Sequence, residues 1–180
     1  SILDAAMANK VADKDALLAL AIDGRSIADL ITDRSGITGE KMELGFYEVV
    51  NGAATVAYIH PGNKLATVVA FNEALDAQVA REVAMQVAAM NPIAVKRDEV
   101  PANIIATELE VGREKARQEG KPEAMLDKIA EGRLNKFYKE STLLEQDFIK
   151  DAKVSVQQYL KQVSASLTAT AFKRVTLNEE

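Results

Sequence analysis

The tripeptide Gly120-Lys121-Pro122 constrains the fold more than any other feature, because it separates two long stretches of helical character. Glycine commonly ends a helix, and proline is favoured at the first position of the next one. Apolar residues recur at helical spacing on both sides of the tripeptide, and charged residues fill many of the other positions. The pattern predicts an antiparallel helical hairpin over residues 101–140 whose charged tip projects into solvent.

A β pattern occupies the middle of the chain. Residues 42–50, 55–60 and 65–71 are rich in β-forming side chains and predict three strands in a meander. Asn51-Gly52 is typical of a two-residue hairpin turn between the first two strands. Residues 167–177 alternate between two sets of side chains, and we expect them to form a strand that rejoins this sheet across the hairpin insertion.

Shorter helices are predicted around this sheet. Residues 1–35 indicate three of them, with Asp13 and Ser26 placed as N-caps. Asn72 is expected to cap a longer helix that ends before Asn91-Pro92, because a residue that precedes proline avoids helical backbone angles. An amphipathic helix is predicted over residues 154–163.

These elements indicate an α+β fold, a three- to four-stranded antiparallel sheet covered by helices, with an inserted antiparallel helical hairpin. We expect three parts in the chain. Residues 1–51 form a first core subdomain, residues 52–100 and 141–180 form a second core subdomain, and residues 101–140 form the hairpin.

Composition argues against catalysis and against a nucleic acid partner. Lys and Arg number 22 and Asp and Glu number 27, so the net charge of −5 suits a protein partner better than a phosphate backbone. The chain has no cysteine and one histidine, and it lacks phosphate-loop and nucleophile-elbow motifs. We therefore predict a non-enzyme without cofactor or metal that binds neither nucleic acid directly nor a membrane. A cysteine-free chain fits a reducing cytoplasm.

An ordered series of motifs resembles elongation factor Ts over essentially the whole chain. The specific part of the resemblance is the order of residues 82–92 (EVAMQVAAMNP), 98–101 (DEVP), 120–122 (GKP), 131–138 (EGRLNKFY) and 144–149 (LEQDFI). Thr38-Gly39-Glu40 and residues 58–62 (YIHPG) match more loosely.

The resemblance implies a protein that binds elongation factor Tu and promotes release of GDP, so that GTP can enter. It implies partner-binding roles for Ile37, Thr38, Gly39 and His60. It also implies that the hairpin contacts the partner or a second copy of the chain, and we expect a homodimer. The family's N-terminal helical domain and a Thr-Asp-Phe-Val segment are missing, so the resemblance makes residues 1–51 the remnant of the first core subdomain. The missing parts predict weak binding and slow exchange. Residues 42–50 are then expected to lack their usual neighbours and to pair differently.

Two other functions stay open on the sequence. One is an enzyme with a small-molecule pocket lined by Glu48, His60 and Arg174. The other is a structural or assembly module whose hairpin makes oligomers and that has no exchange activity.

Overall fold

The computed structural model describes residues 1–178. The chain divides into two compact units, Ser1–Val49 and Val50–Glu180. The α+β fold and the antiparallel sheet predicted from the sequence are confirmed. The division into two core subdomains and an insertion stays a prediction, and each unit is described by itself below.

The Ser1–Val49 unit is a small helical layer. Its elements are α1 (Ile2–Ala8), α2 (Lys14–Ala19), a short antiparallel pair of β1 (Ala21–Ile22) and β2 (Arg25–Ser26), and α3 (Ile27–Thr38). Buried Ala6, Leu17 and Ile27 form its core. The predicted caps are confirmed, because Asp13 accepts from the Ala16 amide at 2.8 Å and Ser26 accepts from the Asp29 amide at 3.1 Å.

The strand predicted over residues 42–50 is wrong. This segment contains neither helix nor strand and lies along the helices of its own unit. The Tyr47 hydroxyl donates to the Val11 carbonyl at 2.7 Å, and the Lys14 ammonium donates to the Gly45 carbonyl at 3.3 Å. Residues 42–50 are therefore an extended segment that packs against helices. Because they form no strand, the expectation that they would pair with a different strand is also wrong.

Asn51-Gly52 is also not the predicted hairpin turn, since residues 42–50 directly before it form no strand. A Cβ atom added at Gly52 would lie 2.7 Å from the Cβ of Ala70. Gly52 is therefore needed for a close approach of the backbone to the following sheet, a second common reason for glycine beside a strand.

The Val50–Glu180 unit carries one three-stranded sheet, one strand pair and four helices among its described residues. In chain order the elements are β3 (Ala54–Ile59), β4 (Leu65–Phe71), α4 (Ala77–Met90), α5 (Ala102–Gln118), α6 (Leu126–Ser141), β5 (Asp147–Phe148), β6 (Asp151–Ser155), α7 (Val156–Val163) and β7 (Ala169–Thr176). The antiparallel order is β3-β4-β7, so the predicted return of the last strand is confirmed.

Helix α4 packs on the inner face of this sheet. Its buried stripe includes Val83, Ala84 and Val87, which join Val69 and Phe71 in the main core. The helix begins later than predicted. Asp76 caps it by accepting from the Gln78 amide at 2.8 Å.

Asn72 is not the cap because it serves another contact. Its side chain accepts from the Thr168 amide and donates to the Ser166 carbonyl, both at 2.8 Å. Asn72 therefore ties the end of β4 to the residues that lead into β7.

Helices α5 and α6 form the predicted hairpin. Gly120 has a φ of +74°, the left-handed conformation expected of glycine after a helix. The helices approach closely, since a Cβ added at Gly112 would lie 3.0 Å from the Cα of Ala130. The two ends of the insertion also meet, because Ala94 forms a parallel bridge with Thr142 and its carbonyl accepts from the Leu143 amide at 2.9 Å.

Candidate partner-binding site

Ile37, Thr38 and Gly39 form the corner where α3 ends. Gly39 has a φ of +72°, and its amide donates to the Ser35 carbonyl at 3.0 Å. The Thr38 hydroxyl donates to the Arg34 carbonyl at 2.9 Å and accepts from the Glu40 amide at 3.3 Å. The backbone of the corner is thus fixed by local bonds, and the Ile37 side chain stays 74% exposed.

An apolar groove lies beside this corner within the same unit. Its volume is about 610 Å³, and its lining includes Ile37, Ile2, Leu30, Met42 and Leu44. Exposed apolar surface of this kind is typical of a protein-binding surface. The groove combines residues from α1, α3 and the extended segment, so it is visible only after folding.

His60 belongs to the Val50–Glu180 unit, directly after β3. Its amide donates to the Leu65 carbonyl at 2.9 Å, and its carbonyl accepts from the Asn63 amide at 3.0 Å. Gly62 and Asn63 both have positive φ, at +96° and +57°, which closes the tight turn to β4. The imidazole is exposed, and its Nδ1 lies 3.0 Å from the hydroxyl of Tyr58.

The structure therefore groups Ile37, Thr38 and Gly39 at one helix end and places His60 at a turn of the other unit. Contact of these four residues with a partner stays a prediction. No sequence motif identified Tyr58 as a neighbour of the His60 ring. Side chains two residues apart on a strand lie on the same face, so the spacing of Tyr58 and His60 could have predicted that their rings are neighbours.

The root of the hairpin is held by a second polar cluster. Arg97 forms two hydrogen bonds to the Glu145 carboxylate, at 2.5 and 2.7 Å, and a third to the Asn135 side chain at 2.8 Å. Its guanidinium carbon lies 4.8 Å from the centre of the Tyr138 ring. These contacts join α6 to the segments that precede and follow the insertion.

The described residues do not form the pocket of Glu48, His60 and Arg174 that the enzyme alternative requires. Arg174 donates to the Ala88 carbonyl at 3.3 Å and lines a groove of about 450 Å³ with Ile93 and Phe172. Neither Glu48 nor His60 is among the described residues that line this groove. Within residues 1–178, no group of three or more His, Asp or Glu side chains is placed to hold a metal ion. In the same part of the chain, no helix is long and apolar enough to cross a membrane.

Known proteins match this chain over its whole length. The family described as Elongation factor TS matches residues 1–179. Elongation factor Ts of Porphyromonas gingivalis is 59% identical over 181 residues, which cover 100% of this chain and 66% of the relative. Elongation factor Ts of Azobacteroides pseudotrichonymphae is 54% identical over 180 residues, 99% of this chain and 66% of the relative. The chain thus spans about two thirds of the length of these relatives.

Another relative differs inside the matched region. Elongation factor Ts of Bacteroides fragilis is 39% identical over 236 residues, which cover 99% of this chain and 72% of the relative. A match of 236 residues to a chain of 180 requires extra residues within that relative. The Porphyromonas match of 181 residues has no room for such an insertion. With residues 1–179 matched to one family and relatives 59% and 54% identical over almost the whole chain, this chain belongs to the elongation factor Ts family.

Proposed function

We propose that this chain binds elongation factor Tu and promotes release of its bound GDP during translation in the cytoplasm. The proposal rests on membership of the elongation factor Ts family over residues 1–179. The exposed corner at Ile37, Thr38 and Gly39 supports it by offering an apolar side chain on a rigid backbone.

The chain acts through binding energy in this proposal, with no reactive group of its own. Contacts with the partner stabilise a conformation of elongation factor Tu that holds nucleotide poorly. Linkage then requires that nucleotide weaken the binding of this chain by the same factor. Burying the Ile37 side chain on docking supplies roughly 1.5–3 kcal/mol of this energy.

A polypeptide of these 180 residues is further proposed to bind weakly and exchange slowly. The reason is that it spans only about two thirds of the length of the relatives it matches. The remaining third of such a relative is available to contribute contacts that this stretch lacks.

Release of a fluorescent GDP analogue from elongation factor Tu tests the proposal. We expect the chain to accelerate release, and the full-length Porphyromonas relative to do so at lower concentration. Ile37→Asp should raise the half-saturating concentration by at least about tenfold, because each 1.4 kcal/mol of lost binding energy corresponds to a factor of ten. Val163→Asp, at an exposed valine of α7, is the matched control. No acceleration by the chain at any concentration would reject exchange activity, and equal potency of the two proteins would reject the weak-exchange proposal.

Self-association is a second candidate function, favoured by the outer face of the sheet. Ile59 is 63% exposed on the face opposite to Tyr58, and Ala57, Val68 and Val175 share that face by the strand register. Two copies that packed these faces together would form a homodimer. Light scattering during size-exclusion chromatography should give twice the mass of the chain, and Ile59→Arg should give a monomer. A monomeric wild-type chain at micromolar concentration would exclude this candidate.

A further inference from the structure

We propose that Tyr58 is a positioning residue that holds His60 in the tautomer protonated at Nε2, so that His60 presents an N–H donor to its partner. The inference rests on the proposed function for the identity of the partner. The tautomer itself is a property of this chain alone.

The geometry begins with a buried tyrosine. Tyr58 is 6% exposed and belongs to the main core, whereas the imidazole of His60 lies in solvent. The two rings meet edge to face, with centroids 6.0 Å apart and planes at 64°. The phenol oxygen lies 3.0 Å from Nδ1 of His60, which is hydrogen-bond distance. An exposed imidazole is thus anchored to a ring that cannot move without disturbing the core.

The direction of this hydrogen bond follows from the requirement that the buried phenol hydrogen have an acceptor. A neutral imidazole has one N–H and one acceptor nitrogen, so Nδ1 either accepts from Tyr58 or donates to it. Among residues 1–178, the Tyr58 hydroxyl has no second hydrogen-bond acceptor. Donation from the phenol to Nδ1 satisfies its hydrogen, and the opposite direction leaves that hydrogen without a protein partner. The first arrangement is therefore favoured, and it places the imidazole proton on Nε2.

Arg81 of α4 strengthens this preference. Its guanidinium carbon lies 5.1 Å from the centre of the Tyr58 ring, within the range of a cation–π contact. A positive charge over the ring draws electron density from the phenol, which makes its O–H a better donor and its oxygen a poorer acceptor. Arg81 therefore both fixes the ring and favours donation toward His60.

The consequence is a chemical requirement on the partner. With Nδ1 occupied by Tyr58, the remaining polar atom of the exposed ring is the Nε2–H donor. The partner atom that meets it must be an oxygen acceptor, such as a backbone carbonyl, a side-chain amide oxygen or a carboxylate. A partner that offers a donor at this point would leave two N–H groups facing each other.

The first test reads the tautomer directly. His60 is the only histidine in the chain, so its two ring nitrogens need no assignment among several residues. Long-range proton–nitrogen NMR spectra of the ¹⁵N-labelled chain, at a pH where imidazole is neutral, should show Nδ1 unprotonated and Nε2 protonated. Tyr58→Phe should move both signals toward the averaged values of a free histidine. Tyr159→Phe removes a different phenol hydrogen bond of the same unit, to Glu82, and should leave His60 unchanged. A wild-type chain with Nδ1 protonated, or with averaged signals, would overturn the proposal.

The second test measures positioning in the exchange assay. Tyr58→Phe should raise the half-saturating concentration about two- to tenfold, the effect of one neutral hydrogen bond, with the maximal rate unchanged. In a His60→Ala background the same substitution should add almost nothing, because the group it positions is gone. An equal effect in both backgrounds would reject positioning. If the chain lacks exchange activity altogether, the proposed function fails while the NMR result still decides the tautomer.

Discussion

The hydroxyl of Tyr159 donates a 2.6 Å hydrogen bond to the carboxylate of Glu82 and so joins α7 to α4. Lys150, from the turn between β5 and β6, donates to the same carboxylate at 2.8 Å. The Tyr159 ring also stacks on Phe148, with centroids 4.1 Å apart. One carboxylate thus ties α4, α7 and the turn between β5 and β6 to each other.

Stability should fall in acid because of this carboxylate. The hydrogen bonds from Lys150 and then Tyr159 lower the pKa of Glu82 from 4.5 to about 2. A depressed pKa in the folded state stabilises the fold above the unfolded pKa and loses that stabilisation as the pH falls toward 2. Glu82 is 13% exposed, so the contribution is at most roughly 3 kcal/mol. Urea unfolding of Glu82→Gln should show a flatter decline between pH 5 and 2, by about that amount, than wild type. Glu131→Gln, at an exposed glutamate of α6, is the control, and an unchanged slope in Glu82→Gln would contradict the assignment.

Two glycines of the hairpin should respond in opposite directions to alanine. At Gly112 the new Cβ would lie 3.0 Å from the backbone of Ala130, so the helices must separate. We expect Gly112→Ala to lower the free energy of unfolding by about 1–3 kcal/mol. At Gly132 a Cβ meets nothing within 4 Å, and Gly132→Ala should raise it by up to about 1 kcal/mol because alanine is the better helix former. Thermal unfolding followed by circular dichroism measures both, and the same sign for both variants would argue against the close approach.

Gln146→Leu should destabilise the junction of hairpin and core. Gln146 is 1% exposed, and its amide donates to the carbonyls of Glu140 and Met90, at 2.9 and 3.4 Å, while its oxygen accepts from Gln86 at 3.2 Å. Leucine has a similar size but leaves these buried partners unsatisfied, at about 1–3 kcal/mol. Gln157→Leu, at an exposed position of α7, should change the free energy of unfolding by about 0.5 kcal/mol or less. Urea unfolding measures both variants, and equal losses would show that burial of Gln146 contributes nothing.

Gly52→Ala tests the close contact beside the sheet. The added Cβ would lie 2.7 Å from the side chain of Ala70, so the backbone must shift, and we expect a loss of about 1–3 kcal/mol. A Cβ at Gly45 meets nothing within 4 Å, so Gly45→Ala is the matched control. Chemical unfolding of the two variants distinguishes them, and a neutral Gly52→Ala would mean that the backbone there relaxes freely.

Local signals explain what the sequence predicted well. The hairpin depends on a glycine stop, a proline start and helical spacing, all of which lie within neighbouring residues. The return of β7 follows from its alternation and from the scarcity of other strands to pair with. The strand prediction for residues 42–50 failed because β-forming side chains suit any extended segment. Only the tertiary fold decides whether another strand lies beside it.

The N-cap of α4 and the groove mark two further limits of the sequence. Asn72 and Asp76 are both good caps, and a contact with residues almost a hundred positions later decided between them. The Ile37 groove is assembled from three separate stretches, so no short motif announces it. The predicted corner itself was named through resemblance, and the structure adds its exposure and its fixed backbone.

The bridge between Ala94 and Thr142 makes the hairpin a structurally independent insertion. Its two attachment points share backbone hydrogen bonds, so the surrounding sheet and helices close on themselves without it. The hairpin can therefore be lengthened, shortened or replaced during evolution without changing the rest of the unit, because its two ends stay next to each other. The length of the hairpin can thus vary independently of the sheet and helices from which it projects.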